Sequence, residues 1–248
     1  KWPTKYSVGR PGWHTECVVM IKKELGEVID IHGGGKDLKF PHHENERAQA
    51  MACSHSCLAN YWMHNGMIDI EGVKMSKSLG NFITAKDALE ANDPMVIRWL
   101  LLSAHYRADL NVSEEVIKNS ETELNKVLIA LKQAELKLAL NGYVSEEYEE
   151  ESYKRFLDAM EDDMNTPNAY SVIFEMVKML NQAIRVREID FTNLSKITNS
   201  LVMALEVLGI KHNKVELSEE DKDIYTKWDE AKKAKDFANA DKYRDILK

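Results

Sequence analysis

The run His32-Gly33-Gly34-Gly35-Lys36-Asp37-Leu38-Lys39-Phe40-Pro41-His42-His43-Glu44-Asn45-Glu46 constrains the fold more than any other segment and reads as strand, turn and helix. The apolar, β-branched Val28 to Ile31 ahead of it reads as a buried strand, the glycines as a turn that lets backbone approach a ligand closely, and Pro41 as the first turn of a helix. On that helix His42 and Glu46 stand four apart and share a face. An imidazole and a carboxylate so placed can hold two corners of a tetrahedral metal, and Cys17, on an earlier helix, can add a thiolate. Zinc suits that set. The same residue types serve more often as a core thiol, a hydrogen-bonded histidine and a solvated carboxylate, and spacing alone leaves both readings open. The match to a metalloprotease signature fails, because no pair of histidines flanks a base as His-Glu-x-x-His requires.

A second fixed point is Lys74-Met75-Ser76-Lys77-Ser78, placed after a hairpin made of Met67 to Ile70, a Glu71-Gly72 turn and Val73. Lysines and serines on a short loop can bind phosphates, although a basic loop by itself is more often solvated surface. Trp13 to Leu25 has apolar residues at helical spacing and stops at Gly26, which puts Cys17 on a helix. A second helix is expected from about Pro41 to Leu58 and a strand over Tyr61 to His64. Strands thus alternate with helices, as in an α/β sheet whose ligands collect at the carboxyl ends of its strands.

After Asn81 the chain reads as capped helices. Thr84 with Asp87 is a capping box, and Asp93-Pro94 an N-cap followed by proline. Ser113 opens a long helix with Leu124, Val127, Leu128, Leu131 and Leu138 on one face, closed by Gly142. Ser145 is expected to start the next helix, Thr166-Pro167 the one after, and a further one ends near Gly209. The pattern is an antiparallel bundle with apolar stripes as core. Ser218-Glu219-Glu220-Asp221 caps a small C-terminal pair of helices, reached through the polar linker His212 to Leu217. The expected organisation is α/β over 1–82, connecting helices over 83–104, an all-α bundle over 105–211 and a small helical unit over 212–248.

Charge and cysteine content limit function. A net charge of -8 argues against a generic nucleic-acid coat, which needs clustered cations, but not against a specific RNA enzyme with local basic patches. No apolar run approaches membrane-spanning length and no signal peptide opens the chain, so the expectation is a cytoplasmic protein without membrane contact. Cys17, Cys53 and Cys57 form no disulfide framework, which fits a reducing compartment. Cys53 and Cys57 read as buried small hydrophobes on one helix face.

These motifs together resemble the cysteinyl-tRNA synthetases, class I aminoacyl-tRNA synthetases. Gly9-Arg10-Pro11-Gly12-Trp13-His14-x-Glu16-Cys17, His32-Gly33-Gly34-Gly35-x-Asp37-Leu38-x-Phe40-Pro41-His42-His43-Glu44-Asn45-Glu46, Tyr61-Trp62-Met63-His64 and Lys74-Met75-Ser76-Lys77-Ser78-Leu79-Gly80-Asn81 follow that family's order. So do Asp162-Asp163-Met164-Asn165-Thr166-Pro167 and the tail Ala231-Lys232-Lys233-Ala234-Lys235-Asp236-Phe237-Ala238-x-Ala240-Asp241. The Lys-Met-Ser-Lys-Ser loop alone indicates class I; the His-Gly-Gly-Gly run narrows the resemblance to the cysteine enzymes and their ligase relatives.

The resemblance implies the second half of a Rossmann-like catalytic domain, with a His-Ile-Gly-His-type motif and one further zinc cysteine expected upstream of Lys1, followed by a bundle of the tRNA-binding, anticodon-reading type. It implies zinc held by Cys17, His42 and Glu46, and ATP with Mg2+ as substrate beside His32, Gly33, Gly34 and Asp37. Lys74 and Lys77 would compensate charge on the departing pyrophosphate, and Trp13 would wall the amino-acid pocket. His14, His32 and His43 would support the ligands or merely pack. The implied partners are tRNA(Cys), L-cysteine and ATP, the implied state a monomer, and the expectation for residues 1–248 alone is inactivity. Two alternatives stay open: a cysteine ligase with an amino-sugar acceptor, and a non-catalytic tRNA-binding module.

Overall fold

The structure, a computed structural model, describes residues 1–75 and 83–246. The chain forms two compact units, one of Lys1–Ile83 with Ala104–Ser113 and one of Thr84–Ser103 with Glu114–Lys248.

In the first unit a short antiparallel pair, β1 (Trp2–Pro3) and β2 (Val8–Gly9), precedes helix α1 (Trp13–Glu24). Strand β3 (Ile29–Gly35) leads through a 3-10 turn (Lys36–Leu38) and a kinked stretch (Lys39–His43) into α2 (Glu44–Ser54) and strand β4 (Ala59–Asn65). β3 and β4 are parallel, in register from Ile29 against Ala59 to Gly35 against Asn65. α2 is the crossover that a parallel pair requires. A second sheet has the order β6 (Val73–Lys74), β5 (Ile68–Ile70), β7 (Leu110–Val112). Val18, Ile21, Ala50 and Leu58, with Ile29 and Trp62, form the unit's small core.

Three local expectations change here. The glycines are strand rather than turn, because they continue the ladder to β4. Pro41 does not open α2: the Phe40-Pro41 bond is cis and Phe40 is extended at φ -138° and ψ 133°, so the helix starts at Glu44. α2 stops at Ser54, where His55 turns left-handed at φ 55°. Cys57 therefore lies beyond the helix, and both Cys53 and Cys57 are exposed rather than buried.

The second unit is helical: α3 (Ala85–Ala91), α4 (Pro94–Leu102), α5 (Glu114–Leu140), α6 (Glu150–Glu161), α7 (Thr166–Ala183), α8 (Phe191–Val207), α9 (Glu219–Lys233) and α10 (Phe237–Ile246). Thr84 with Asp87 and Ser218 with Asp221 form the expected capping boxes, and the Asp93 carboxylate accepts from Met95 N at 2.6 Å. Leu124, Val127, Leu131, Phe156, Ile173, Leu194 and Leu201 belong to one core. Trp99 stacks on Tyr170 with ring centroids 4.0 Å apart, and the Tyr170 hydroxyl donates to the Trp99 carbonyl at 2.9 Å.

Ser145 does not start a helix. Asn199 of α8 donates to the Ser145 and Glu147 carbonyls at 2.8 and 2.7 Å, tying down a segment that forms no helix. The cap of α6 is instead Glu149, whose carboxylate accepts from the Glu151 and Ser152 amides. The linker from His212 is anchored as well. The buried carboxylate of Glu135 on α5 lies 3.1 Å from His212 Nε2 and accepts from Val215 N at 3.1 Å.

Candidate metal centre and adjoining cleft

α1, the stretch before α2 and the first turn of α2 bring Cys17, His42 and Glu46 together in the first unit. Cys17 Sγ is 3.7 Å from His42 Nε2, and His42 Nε2 is 2.9 Å from Glu46 Oε1. One donor atom from each lies within 4.8 Å of the others. Glu46 has no solvent exposure, its Oε2 meets His32 Nε2 at 2.6 Å, and its Oε1 has no hydrogen-bond partner among the described residues. The Oε1 contact with His42 is close but lacks hydrogen-bond alignment. A buried carboxylate oxygen without a partner costs roughly 1–3 kcal/mol or more, and a cation between Oε1, Nε2 and Sγ removes that cost. The residues present therefore fit a zinc-type ion.

Electrostatics fit the same reading. Burial and the Glu46 carboxylate push the Cys17 thiol above its ordinary range, so without a cation it stays protonated. A divalent ion inverts that logic and deprotonates a coordinating thiol. Trp13 lies over His42, with ring centroids 4.1 Å apart.

His32, His43 and Glu46 form a second close group. His43 Nδ1 is 2.9 Å from His64 Nε2. Burial holds both imidazoles below their usual pKa; nearby Lys39 and Arg107 push His64 the same way. The glycines explain how the histidines fit. A Cβ on Gly34 would stand 2.8 Å from His43 Cε1, and one on Gly35 would stand 2.5 Å from Asp37 Oδ1. Gly33 is more open, its nearest neighbour being the Met63 carbonyl at 3.6 Å. Two of the three glycines thus make room for the protein's own side chains.

Of the residues singled out in the sequence, Trp13, Cys17, His32, His42 and Glu46 converge. Gly33 and Gly34 lie on β3, and Asp37 is exposed in the 3-10 turn. Lys74 ends β6, but its side chain and all of Lys77 lie outside the described residues. Sequence reasoning missed the His32 to Glu46 bond, the His43 to His64 pair and an adjoining cleft. That cleft is lined by Lys36, Lys39, His43, Glu44, Arg47, Trp62, His64 and Arg107. Tyr61-Trp62-Met63-His64 signalled His64; nothing in the sequence signalled Arg107, whose loop is held by Gly66 N donating to Tyr106 O at 2.7 Å and Met67 N to Asp109 Oδ1 at 2.7 Å.

No helix among the described residues is long and apolar enough to cross a membrane. Residues 1–122 match the family described as "tRNA synthetases class I (C) catalytic domain", and residues 155–212 match the DALR domain. A "Cysteine--tRNA ligase" of Exiguobacterium sp. is 42% identical over 255 residues, covering 100% of this chain and 55% of that protein. One of Shouchella clausii is likewise 42% identical over 255 residues, with 100% and 55% covered. The chain thus spans about half the length of these curated relatives. A putative arginyl tRNA synthetase from Campylobacter jejuni superposes with a TM-score of 0.60 at 16% identity, covering 84% of this chain and 53% of that one, a likeness of fold alone. By its paired α/β and DALR-type helical units, its motif order and its relatives, the chain belongs to the class I aminoacyl-tRNA synthetases, in the cysteine–tRNA ligase branch.

Proposed function

We propose that this chain is part of an enzyme that joins L-cysteine to tRNA(Cys) in two steps, forming cysteinyl-adenylate from ATP with Mg2+ and then passing the acyl group to a terminal ribose hydroxyl. The observation that carries the reading is the buried Glu46, whose unpartnered Oε1 faces His42 and Cys17. In this reading Cys17, His42 and Glu46 hold zinc, and His32 fixes the Glu46 carboxylate through its other oxygen. When bound, zinc supplies a soft Lewis acid that prefers a thiolate to a hydroxyl. Such a preference is needed because shape alone separates near-isosteres such as cysteine and serine by only about a hundredfold.

The remaining roles fall to the chain's own groups. Trp13, against His42, walls the amino-acid pocket and excludes water. His32, Gly33, Gly34 and Asp37 line the place of the adenylate, at the carboxyl end of β3 where ligands of parallel sheets collect. Lys74 and Lys77 compensate the charge of the leaving pyrophosphate, an effect of about 2.7–4 kcal/mol for one good donor. Residues 1–82 with 104–113, which hold β7 beside β5, then belong to the catalytic domain, 83–103 connect, 114–211 carry the tRNA-binding bundle in place of the 105–211 expected from the sequence, and 212–248 form a small helical adjunct. The test is metal analysis of the intact protein beside cysteine-dependent pyrophosphate exchange. The expected result is one zinc per chain, lost with Cys17→Ser or His42→Ala, and exchange that rejects serine by far more than a hundredfold. Zinc binding unchanged in those variants refutes the ligand assignment.

A further inference from the structure

Asn-Gly occurs twice in the sequence, at Asn65-Gly66 and at Asn141-Gly142. The dipeptide is chemically labile. The backbone nitrogen that follows an asparagine can attack the side-chain amide, and glycine has no Cβ to hinder the approach. The fold treats the two copies differently. Asn65 ends β4, paired with Gly35 of β3, and Gly66 N donates to the Tyr106 carbonyl at 2.7 Å. A Cβ on Gly66 would stand 1.9 Å from the Ala108 carbonyl oxygen and 2.8 Å from Asp109 N, so the backbone of the loop before β7 lies directly against this glycine.

Asn141 and Gly142 are exposed just past the end of α5. Gly142, at φ 62°, donates to the Ala139 carbonyl at 3.1 Å, and Tyr143 N donates to the Leu138 carbonyl at 3.0 Å, the pair of bonds that closes a helix on a left-handed glycine. Asn141 Nδ2 completes the cap by donating to the Lys137 carbonyl at 2.8 Å. A Cβ on Gly142 would meet nothing within 4 Å among the described residues. Bonds inside the last turn open whenever the helix end frays, whereas the Gly66 bond opens only when the loop before β7 lifts away. Asn119 and Asn199 also precede a small residue, but the serines that follow them are buried within α5 and α8, where helical bonding holds the attacking nitrogen.

From this contrast we propose that Asn141 is a site of spontaneous deamidation and isoaspartate formation, and that the reaction unfastens the end of α5. Gly142 N, having lost its proton to a solvent base, attacks Asn141 Cγ. The new C–N bond closes a five-membered succinimide as the Cγ–Nδ2 bond breaks and Nδ2, protonated by solvent, leaves as ammonia. Water then opens the ring at either carbonyl, giving aspartate or isoaspartate; nothing is oxidised or reduced. The departing Nδ2 is the group that caps Lys137, and its replacement is a carboxylate at the negative end of a 27-residue helix. In isoaspartate the main chain also runs through the former side chain, so Tyr143 loses its register against Leu138. Tyr143 packs on the core of the bundle, with its hydroxyl 2.9 Å from Thr192 Oγ1 at the start of α8. This inference stands independently of the ligase reading.

The experiment incubates the intact protein in oxygen-18 water at mildly alkaline pH and reads its peptides by mass spectrometry, scoring isoaspartate by enzymatic methyl transfer from S-adenosylmethionine. The peptide holding Asn141 should gain a labelled oxygen about tenfold faster than the peptide holding Asn65. In concentrated urea the two rates should converge. Asn141→Gln, which would have to close a six-membered ring, should abolish the label at that position. Asn141→Asp, with the charge of the product on an ordinary backbone, should lower hydrogen-exchange protection of residues 138–143 about fivefold. Equal rates in the folded protein, or label at Asn65 before Asn141, overturn the site. Label at Asn141 with exchange protection unchanged in both the aged protein and Asn141→Asp overturns the unfastening.

Discussion

Gly33 and Gly34 are neighbours on one strand, and replacing each with alanine should have opposite consequences. On Gly34 the new Cβ stands 2.8 Å from His43 Cε1, 3.0 Å from Leu38 Cδ1 and 3.1 Å from His43 Nε2. The Leu38 methyl can rotate aside. The His43 ring must retreat by roughly 0.5 Å or more to reach ordinary contact distance. It is 4% exposed, bonded to His64 at 2.9 Å and packed 4.8 Å from His32 between centroids, so retreat breaks a contact on its far side. Overpacking of this kind costs about 1–3 kcal/mol. On Gly33 the Cβ meets only Met63, its carbonyl at 3.6 Å and its Cβ at 4.0 Å, both ordinary contacts, so alanine gains about 0.4–1 kcal/mol by restricting the unfolded chain. The two alanines should differ by at least about 1.5 kcal/mol. Native-state hydrogen exchange of the β3 and β4 amides reads the unit directly, and imidazole NMR reports whether the His43 to His64 bond survives. If Gly34→Ala falls within about 0.5 kcal/mol of Gly33→Ala, the room beside Gly34 is not what selects glycine there.

Three further outcomes are expected. In metal-free protein near pH 8, iodoacetamide should modify exposed Cys53 and Cys57 first and Cys17 slowly, because burial and Glu46 raise its pKa, and Glu46→Gln should speed Cys17; peptide mass spectrometry showing equal rates removes that account. Burial depresses the folded-state pKa of His43 and His64 from 6.5, so the unfolded chain takes up protons first. Their contribution is complete above pH 6.5 and is lost as pH falls from there through the folded-state values; exchange protection of β3 and β4 should drop accordingly, and the drop should flatten in His64→Gln. Glu135→Ala frees His212 and Val215, and since a hydrogen bond to a charged group contributes about 1.5 kcal/mol or more, proteolysis within 211–217 should rise about tenfold. Unchanged cutting there means the linker is held by other contacts.

What could be read from the sequence was what neighbours within a turn decide. Thr84 with Asp87, Asp93 with Pro94 and Ser218 with Asp221 cap the helices they were expected to cap. The stripe through Leu124, Val127 and Leu131 is core because helical spacing puts those side chains on one face. The His42 and Glu46 half of the metal centre was legible from their spacing of four, although His42 lies in the stretch just before α2 and not on the helix itself. Distant partners decided the rest. Asn199 reaches across from α8 to hold Ser145 out of a helix. Glu46 is completed by His32 from a strand. The glycines look like a turn until the ring of His43 is seen against Gly34. Arg107 joins the cleft only because β7 returns to β5 after the excursion through α3 and α4.

That excursion affects how the chain folds during synthesis. β5 finds its parallel partner β7, and Gly66 its backbone acceptor in Tyr106, only after residues 104–113 have left the ribosome. By then α4 is already outside, and it carries Trp99 and Leu100, both fully buried in the finished protein. Their partners arrive much later: Tyr170 stacks on Trp99 from α7, and Arg98 of α4 donates to the Leu208 carbonyl at 2.6 Å just past α8. At about 5–20 residues per second, the wait between Ser103 and Leu208 lasts roughly 5–20 s. The first unit can close during that interval while the apolar face of α4 stays unpaired, so a nascent chain stalled between residues 113 and 170 is the species on which a chaperone would find its clearest target.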